Sequence, residues 1–404
     1  MLLSVLNILL DLGAIGLVLA TLAFALQAGS IIFLRDRPFL TSSYRPSIAV
    51  LMPAQNEEQN IEATLSRIKR DLSPSDRLVV VADNCVDQTA LLAMRAGADL
   101  VVRNDLTRRG KGFALAAGLD HLAALAPDVV VFVDADCEFS LHGLELLARA
   151  CAAANAPVQC LYLMVANPDS PAPRSRLPEF AWRIKNDLRP NGYARLGLPC
   201  HLLGTGMALP WRLITPQLFA TGHLTEDMFL GIELAIKGYP PRFFRDARVT
   251  SYFPDTQHGQ DQQKQRWVHG HLGLIKSHLP RLIFDGLRQR DLDLLGLAAD
   301  LAVPPLGVLA AAHMMLMLLC LTHLAITGTV VPLALAVLGS AIFAFSLITA
   351  WYFCGRDLIG LSEIRQLARH LISVIRSALN LARGHRAQWI RADRSTIQRH
   401  PRHW

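Results

Sequence analysis

At 404 residues with a formal net charge of +7, the chain is too long for one small domain and too basic to be read without asking where the charge sits. Residues 355–404 hold ten arginines against Asp357, Glu363 and Asp393, so that tail alone carries a surplus equal to that of the whole chain. The seven cysteines (85, 137, 151, 160, 200, 320 and 354) show no C-x-x-C pair and no zinc spacing, which argues against a disulfide framework and a structural metal.

The first predicted element is a membrane span, Leu12 to Leu34, apolar apart from small polar residues and Gln27. A cleaved signal peptide fits poorly, because there is no basic n-region and the apolar stretch is too long. A domain then reads from about residue 46 to 270. Ser47–Ala54 is an apolar β run, and Glu57–Leu72 has helical periodicity. Arg77–Asp83 is a second strand, Gln88–Ala96 a helix and Asp99–Arg103 a third strand. Lys111–Leu125 is helical, and Asp128–Asp136 reads as the fourth and most buried strand. Strands and helices alternating at this spacing predict an α/β domain with a mixed, mainly parallel sheet covered on both faces. Leu141–Asn155 then reads as a helix and Val158–Val165 as a strand. A Pro-rich basic stretch, 167–199, contains an amphipathic piece at Pro178–Leu188. Thr225–Lys237 is a helix that starts with Thr, Glu and Asp.

Residues 271–300 read as an interfacial helix and 301–354 as a membrane hairpin, with spans near Leu301–Ala325 and Val331–Phe353. Pro304 and Pro305 interrupt the first of these spans, which membrane helices tolerate where neighbours satisfy the freed carbonyls. Arg35, Arg37 and Arg45 follow the first span, whereas Asp11 is the only charge before it. The positive-inside rule therefore places the N-terminus outside and both the middle domain and the 355–404 tail in the cytoplasm, a multi-pass plasma-membrane arrangement. In the tail, Leu361–Leu381 alternates apolar and Arg/His faces. It fits a helix lying on anionic membrane lipid better than a nucleic-acid site.

Two carboxylates, Asp134 and Asp136, close the apolar run VVVFVDAD and should project from the carboxyl end of a buried strand, where open α/β sheets bind ligands. That pair suits a hard divalent cation that also touches phosphates. Taken alone, the acids of TED (225–227) read as helix-dipole complements, Lys111 as a solvated lysine, Asp83 as an Asx turn and Trp267 as a membrane-interface anchor. His269 and His271 point to different helix faces, so a metal site there is not expected. Cys85 and Cys137 lie beside acidic residues with no adjacent base and read as small packing residues.

Taken together and in order, PAQNEE (53–58), VADNCVDQT (81–89), RRGKGFAL (108–115), VDADCEF (133–139), GTGMALPW (204–211), TED (225–227) and Q-x-x-R-W (263–267) resemble the membrane-bound family-2 glycosyltransferases. These are inverting enzymes of GT-A (Rossmann-like) fold that include cellulose, hyaluronan and poly-N-acetylglucosamine synthases. The tail's QWIRADR (388–394) resembles the end of a bacterial exopolysaccharide subgroup. The resemblance implies that Pro53, Ala54 and Glu57 face base and ribose. Asp83 would accept the imide N–H of uracil, and Lys111 would reach the nucleotide from the other side. It puts Asp134 on the nucleotide and metal side and Asp136 on Mg²⁺ or Mn²⁺ directly. Asp227 is implied as the general base, Thr225 as the helix cap, and Glu226 as a residue that shapes the acceptor side. Gly204, Thr205, Gly206, Gln263 and Trp267 are implied as acceptor-side residues, with Arg266 approaching the diphosphate.

The implied reaction moves a sugar from a UDP-sugar to a lipid-linked acceptor, with a polyprenyl-diphosphate oligosaccharide as the expected one. A processive synthase and a ceramide or diacylglycerol glycosyltransferase remain open alternatives. Three spans are few for a polymer channel unless the chain forms a homo-oligomer. A non-catalytic nucleotide-sugar sensor would have no need of Asp227.

Overall fold

The computed structural model describes residues 2–166, 176–254, 256–360 and Glu363. These fall into two compact units. One holds residues 38–166 and 199–270, the other 2–37, 176–198 and 271–360. The predicted tail helix and the QWIRADR segment lie outside the described residues.

The first unit is built on one eight-stranded sheet. Its strands are β1 (Ile48–Ala54), β2 (Arg77–Asp83), β3 (Asp99–Arg103), β4 (Val129–Phe132), β5 (Glu138–Phe139), β6 (Val158–Val165), β7 (Met207–Pro210) and β8 (Arg242–Tyr252). Their spatial order is β3-β2-β1-β4-β7-β6-β8-β5. The strands β1 to β4 run parallel, β7 is antiparallel to both β4 and β6, β8 is parallel to β6, and β5 closes the far edge antiparallel to β8. The chain winds outward from β1 to β3 and returns to β4 on the other side of β1. A crevice therefore opens at the carboxyl ends of β1 and β4, where the winding reverses.

The central strands are continuous apolar runs because both faces are covered. Leu51, Val79, Val81, Phe132 and Leu209 pack with Leu115, Leu119 and Leu122 of the helix Lys111–Leu122. Gly118 lets that helix sit directly on the sheet, since a Cβ there would lie 2.3 Å from a Leu51 methyl. The strand predicted over Asp128–Asp136 ends at Phe132, so Asp134 and Asp136 stand in the turn beyond it. The helix predicted from Glu57 starts at Ile61. Thr225 occupies the N-cap position of the helix Glu226–Ile236, but its side chain makes no capping hydrogen bond, which corrects the expected role. All seven cysteines are free thiols.

The second unit is helical. Three of its helices are long and apolar enough to cross a membrane, over Val5–Phe33, Leu306–Thr327 and Val331–Cys354. Their outward side chains are apolar (Leu19, Leu318 and Ile348 are each more than 60% exposed), the reverse of a water-soluble bundle. Polar contacts join them from inside, with Thr21 bonded to His313 at 2.9 Å and Asn7 to His323 at 3.1 Å. The segment 176–198, inserted in the chain between β6 and β7, belongs to this unit. It forms the helix Leu177–Arg183, a π-helical turn Ile184–Leu188 and the helix Arg189–Leu196. Arg189, itself buried, donates to Asp300 at 2.6 Å and to Gln27 at 3.0 Å.

Candidate active site

The site grows from the carboxyl ends of the parallel strands. Register places Pro53 beside Val81 and Ala54 beside Ala82, so Asp83 lies one residue past the end of β1. Its carboxylate is buried, and Asp83 pairs directly with Arg103 across β2 and β3. Arg103 donates to Asp83 Oδ1 at 2.6 Å and Asn84 donates to the same oxygen at 3.1 Å. Glu57 follows β1. Its backbone N–H donates to Thr89 Oγ1 at 2.7 Å, and its side chain accepts from Asn60 at 3.2 Å, which turns the PAQNEE loop back over the strand ends. Cys85 supports the same loop, receiving the Asn56 N–H on its sulfur at 3.4 Å; burial pushes its thiol pKa up, as expected of a packing residue.

Lys111 opens its helix after Gly110, whose φ of +133° lets the chain enter at that angle. The ammonium group lies 2.5 Å from Asp134 Oδ1 and donates to the carbonyl of Gly204 at 2.7 Å. Burial alone would lower its pKa, but Asp134, Glu226 and Asp227 together hold it above the usual lysine value. A cation thus stands among the carboxyl groups of Asp134, Glu226 and Asp227.

Beyond β4, donor atoms of Asp134, Asp136 and Cys137 lie within 4.8 Å of one another. Two hard carboxylates on one tight turn fit Mg²⁺ or Mn²⁺, and the thiol does not add a hard ligand. Cys137 instead turns its S–H toward Asp136 Oδ1 at 3.7 Å. The Tyr162 phenol behind them bonds Ser251 at 2.9 Å. Burial, with the nearby Cys137, Asp136 and Asp134, keeps it protonated.

The GTG loop forms the next wall. Gly204 (φ +80°) and Gly206 (φ +62°) adopt left-handed backbone that favours glycine. A Cβ on Gly204 would lie 3.0 Å from Asp227 Oδ2 and 3.2 Å from Lys111 Nζ, so the bare backbone is what allows the two side chains to meet it. Thr205 is fully buried, and its hydroxyl accepts the Asp134 N–H at 3.1 Å. Gln159, buried in β6, holds the loop by donating to the Thr205 and Gly206 carbonyls at 3.0 and 3.1 Å and accepting the Leu203 N–H at 2.9 Å.

Glu226 and Asp227 share the first turn of their helix. Asp227 Oδ1 accepts the Met228 N–H at 2.8 Å. The Glu226 carboxyl is pushed up to about 7, first by burial and then by the Asp227 charge, against the pull of Lys111 and Arg266. Q-x-x-R-W lies on the helix Gln257–Gln289. That helix crosses the start of the Glu226–Ile236 helix at Gly270, where a Cβ would fall 2.4 Å from Thr225 Cγ2. Gln263 is buried, and Arg266 is near enough to act on the Glu226 proton. Trp267 is half-buried on the same helix.

The predicted residues therefore gather into two groups. Asp83 belongs with Arg103 and Asn84, while Lys111, Asp134, Gly204, Glu226 and Asp227 form a continuous charged cluster. Arg103, Asn84 and Gln159 support the site without being singled out by the sequence motifs. A glutamine inside an otherwise apolar strand was the available signal for Gln159.

A sheet that reverses its winding above an acidic pair, with a lysine and a second acidic pair facing it, defines a GT-A sugar-transfer domain with additional membrane-type helices. The family described as "Glycosyltransferase like family 2" matches residues 46–270, more than half of the chain, and the chain belongs to it. The protein is thus a family-2 glycosyltransferase. A glucosyl-3-phosphoglycerate synthase of Mycobacterium tuberculosis is 36% identical over 96 residues, covering 22% of this chain and 29% of that protein. The 4,4'-diaponeurosporenoate glycosyltransferase of Staphylococcus aureus is 31% identical over 123 residues, covering 29% of this chain and 32% of that protein. The match thus spans about a third or less of either relative's length. Among solved structures, a Pyrobaculum calidifontis mannosyltransferase in complex with GDP-Man and Mn²⁺ shares the fold. Its TM-score is 0.53 at 20% identity, covering 92% of this chain and 98% of that one.

Proposed function

We infer that the enzyme takes a sugar from a UDP-sugar and transfers it, with inversion, to a hydroxyl of a membrane-held acceptor. The observation that carries this reading is the cluster at Gly204, where Lys111, bonded to Asp134, and Asp227 approach the same backbone. A cation that can meet a diphosphate and a carboxylate that can take a proton then face one small space.

In the reaction, the acceptor oxygen forms a bond to the anomeric carbon while the bond from that carbon to the diphosphate oxygen breaks. The electron pair leaves with the nucleotide diphosphate, and the hydroxyl proton passes to Asp227. Asp227 is the better base because Glu226 holds its own proton near neutral pH. Lys111 and Arg266 receive the charge that grows on the leaving group. Asp134 and Asp136 would hold Mg²⁺ or Mn²⁺, whose chemistry is to neutralise the diphosphate. Pro53, Ala54, Glu57 and Asp83 would form the base and ribose side. Glu226, Gln263, Trp267 and the 204–206 loop would form the acceptor side, with Trp267 stacking on the sugar.

The three apolar helices and the charge asymmetry around them support a membrane enzyme with its catalytic domain in the cytoplasm. A polyprenyl-diphosphate-linked sugar in exopolysaccharide assembly is the acceptor we favour. The test is donor turnover by the full chain in membranes, across UDP- and GDP-sugars with Mn²⁺, with lipid products sized by mass spectrometry. One sugar added per lipid from a UDP donor supports the reading. A ladder of products would replace it with a processive synthase, and turnover of GDP-sugars alone would overturn the donor.

A further inference from the structure

The GDP-Man of the Pyrobaculum structure makes guanine the competing base, and the surroundings of Asp83 bear on the choice. A carboxylate facing guanine meets two adjacent donors, the ring N–H and the exocyclic amine, and needs both oxygens to answer them. Facing uracil or thymine it meets a single imide N–H and needs one. In this protein Asp83 Oδ1 already accepts from Arg103 at 2.6 Å and from Asn84 at 3.1 Å, which uses both of its lone pairs. Among the described residues, nothing donates to Oδ2.

Arg103 is itself held. It is 12% exposed, pairs with Asp105 at 3.1 Å, donates to the Arg108 carbonyl at 2.6 Å and lies 5.8 Å over the Phe113 ring. Asn84 is fixed as well, in left-handed backbone at φ +51°. Its amide exchanges hydrogen bonds with the Asp105 backbone, donating to the carbonyl at 3.2 Å and accepting the N–H at 2.9 Å. The Asp105 side chain folds the loop that follows by accepting the Thr107 and Arg108 N–H groups at 2.9 and 3.0 Å. That loop ends at Gly110 and Lys111.

We propose that Arg103 and Asn84 are specificity-determining positioning residues, which occupy one oxygen of Asp83 so that it reads a single-donor pyrimidine imide and rejects guanine. This rests on the reading that Asp83 faces the nucleobase. The same latch joins base reading to the loop that carries Lys111, so loosening it disturbs the diphosphate end too.

The experiment measures binding of UDP and of GDP, each with Mn²⁺, to the full chain in detergent by calorimetry, for wild type, Arg103→Gln and Asn84→Gly. The glycine variant keeps the positive-φ backbone and removes the second donor to Asp83 together with the amide's two bonds to the Asp105 backbone, leaving Arg103 in place, so it answers the question if Arg103→Gln fails to fold. The expected result is UDP preferred over GDP by about tenfold in the wild type, with the ratio shrinking several-fold in each folded variant. Equal loss of both nucleotides with an unchanged ratio would mean a merely structural role and would overturn the proposal. Wild-type binding of GDP as tight as UDP would overturn it while leaving the glycosyltransferase reading intact. Binding of neither diphosphate would overturn both.

Discussion

At the scale of single residues, the acidic pair of TED is split by its surroundings. Asp227 sits in the first turn of a helix, beside Lys111, where charge is favoured, while Glu226 is buried against the Asp227 charge. A carboxyl lifted from 4.5 to about 7 binds a proton more tightly when folded. Between those two pH values the native state therefore holds more protons than the unfolded state, and stability falls as pH rises through that window. Glu226→Gln should flatten that fall in thermal unfolding between pH 5 and pH 8; an unchanged slope would assign it to other groups. Gly204→Ala should cost about 1–2 kcal/mol for its φ of +80° and reduce turnover further, because the new methyl meets Asp227 and Lys111. The motif carboxylates were legible because an apolar β run announces where a buried strand ends, and ligands gather past that end. Arg103 was not, since an arginine closing a short edge strand looks the same whether it faces solvent or a buried carboxylate.

At the scale of elements, the site depends on two junctions. The first is Gln159, one buried amide that satisfies three backbone groups of the GTG loop. Gln159→Leu, close in volume, would leave the Thr205 carbonyl and the Leu203 N–H unpaired at about 1–3 kcal/mol each if they stay dry, while the Gly206 carbonyl keeps the Cys160 N–H at 2.9 Å. Its unfolding temperature should drop while the membrane helices are untouched. The second is the crossing at Gly270, where the Q-x-x-R-W helix meets Thr225. Gly270→Val should push the helices apart and reduce turnover by about a hundredfold, with UDP binding little changed; unaltered kinetics would show that the crossing has no part in placing Arg266 and Trp267. The parallel strands β1 to β4 could be foreseen because each is an apolar run rich in Val, Ile or Leu, and β1, β2 and β3 are each followed by a helix. The strands β5, β7 and β8 could not, because β5 is two residues long, β7 contains a proline and β8 carries exposed charges between its buried residues.

At the scale of the whole molecule, the chain joins a family-2 glycosyltransferase domain to membrane-type helices, and the sequence revealed both parts but not how segment 176–198 is shared out. Its basic and proline-rich composition resembles a loop, yet Arg189 reaches Asp300 and Gln27 inside the helical unit. Arg189→Ala removes the cation that neutralises Asp300, leaving the neutral Gln27 amide as a donor to it, and should destabilise that unit by about 3–5 kcal/mol, visible as a lower unfolding temperature in detergent. The central claim is that Asp227 and the Asp134–Asp136 turn perform sugar transfer from a nucleotide donor. The direct measurement is UDP release by the membrane-embedded full chain with UDP-sugar, Mn²⁺ and cognate membrane lipids, comparing wild type with Asp227→Asn and Asp136→Ala. The account predicts release by the wild type, near-complete loss in both variants, and donor binding that survives in Asp227→Asn but not in Asp136→Ala. Turnover that persists in Asp227→Asn would contradict it.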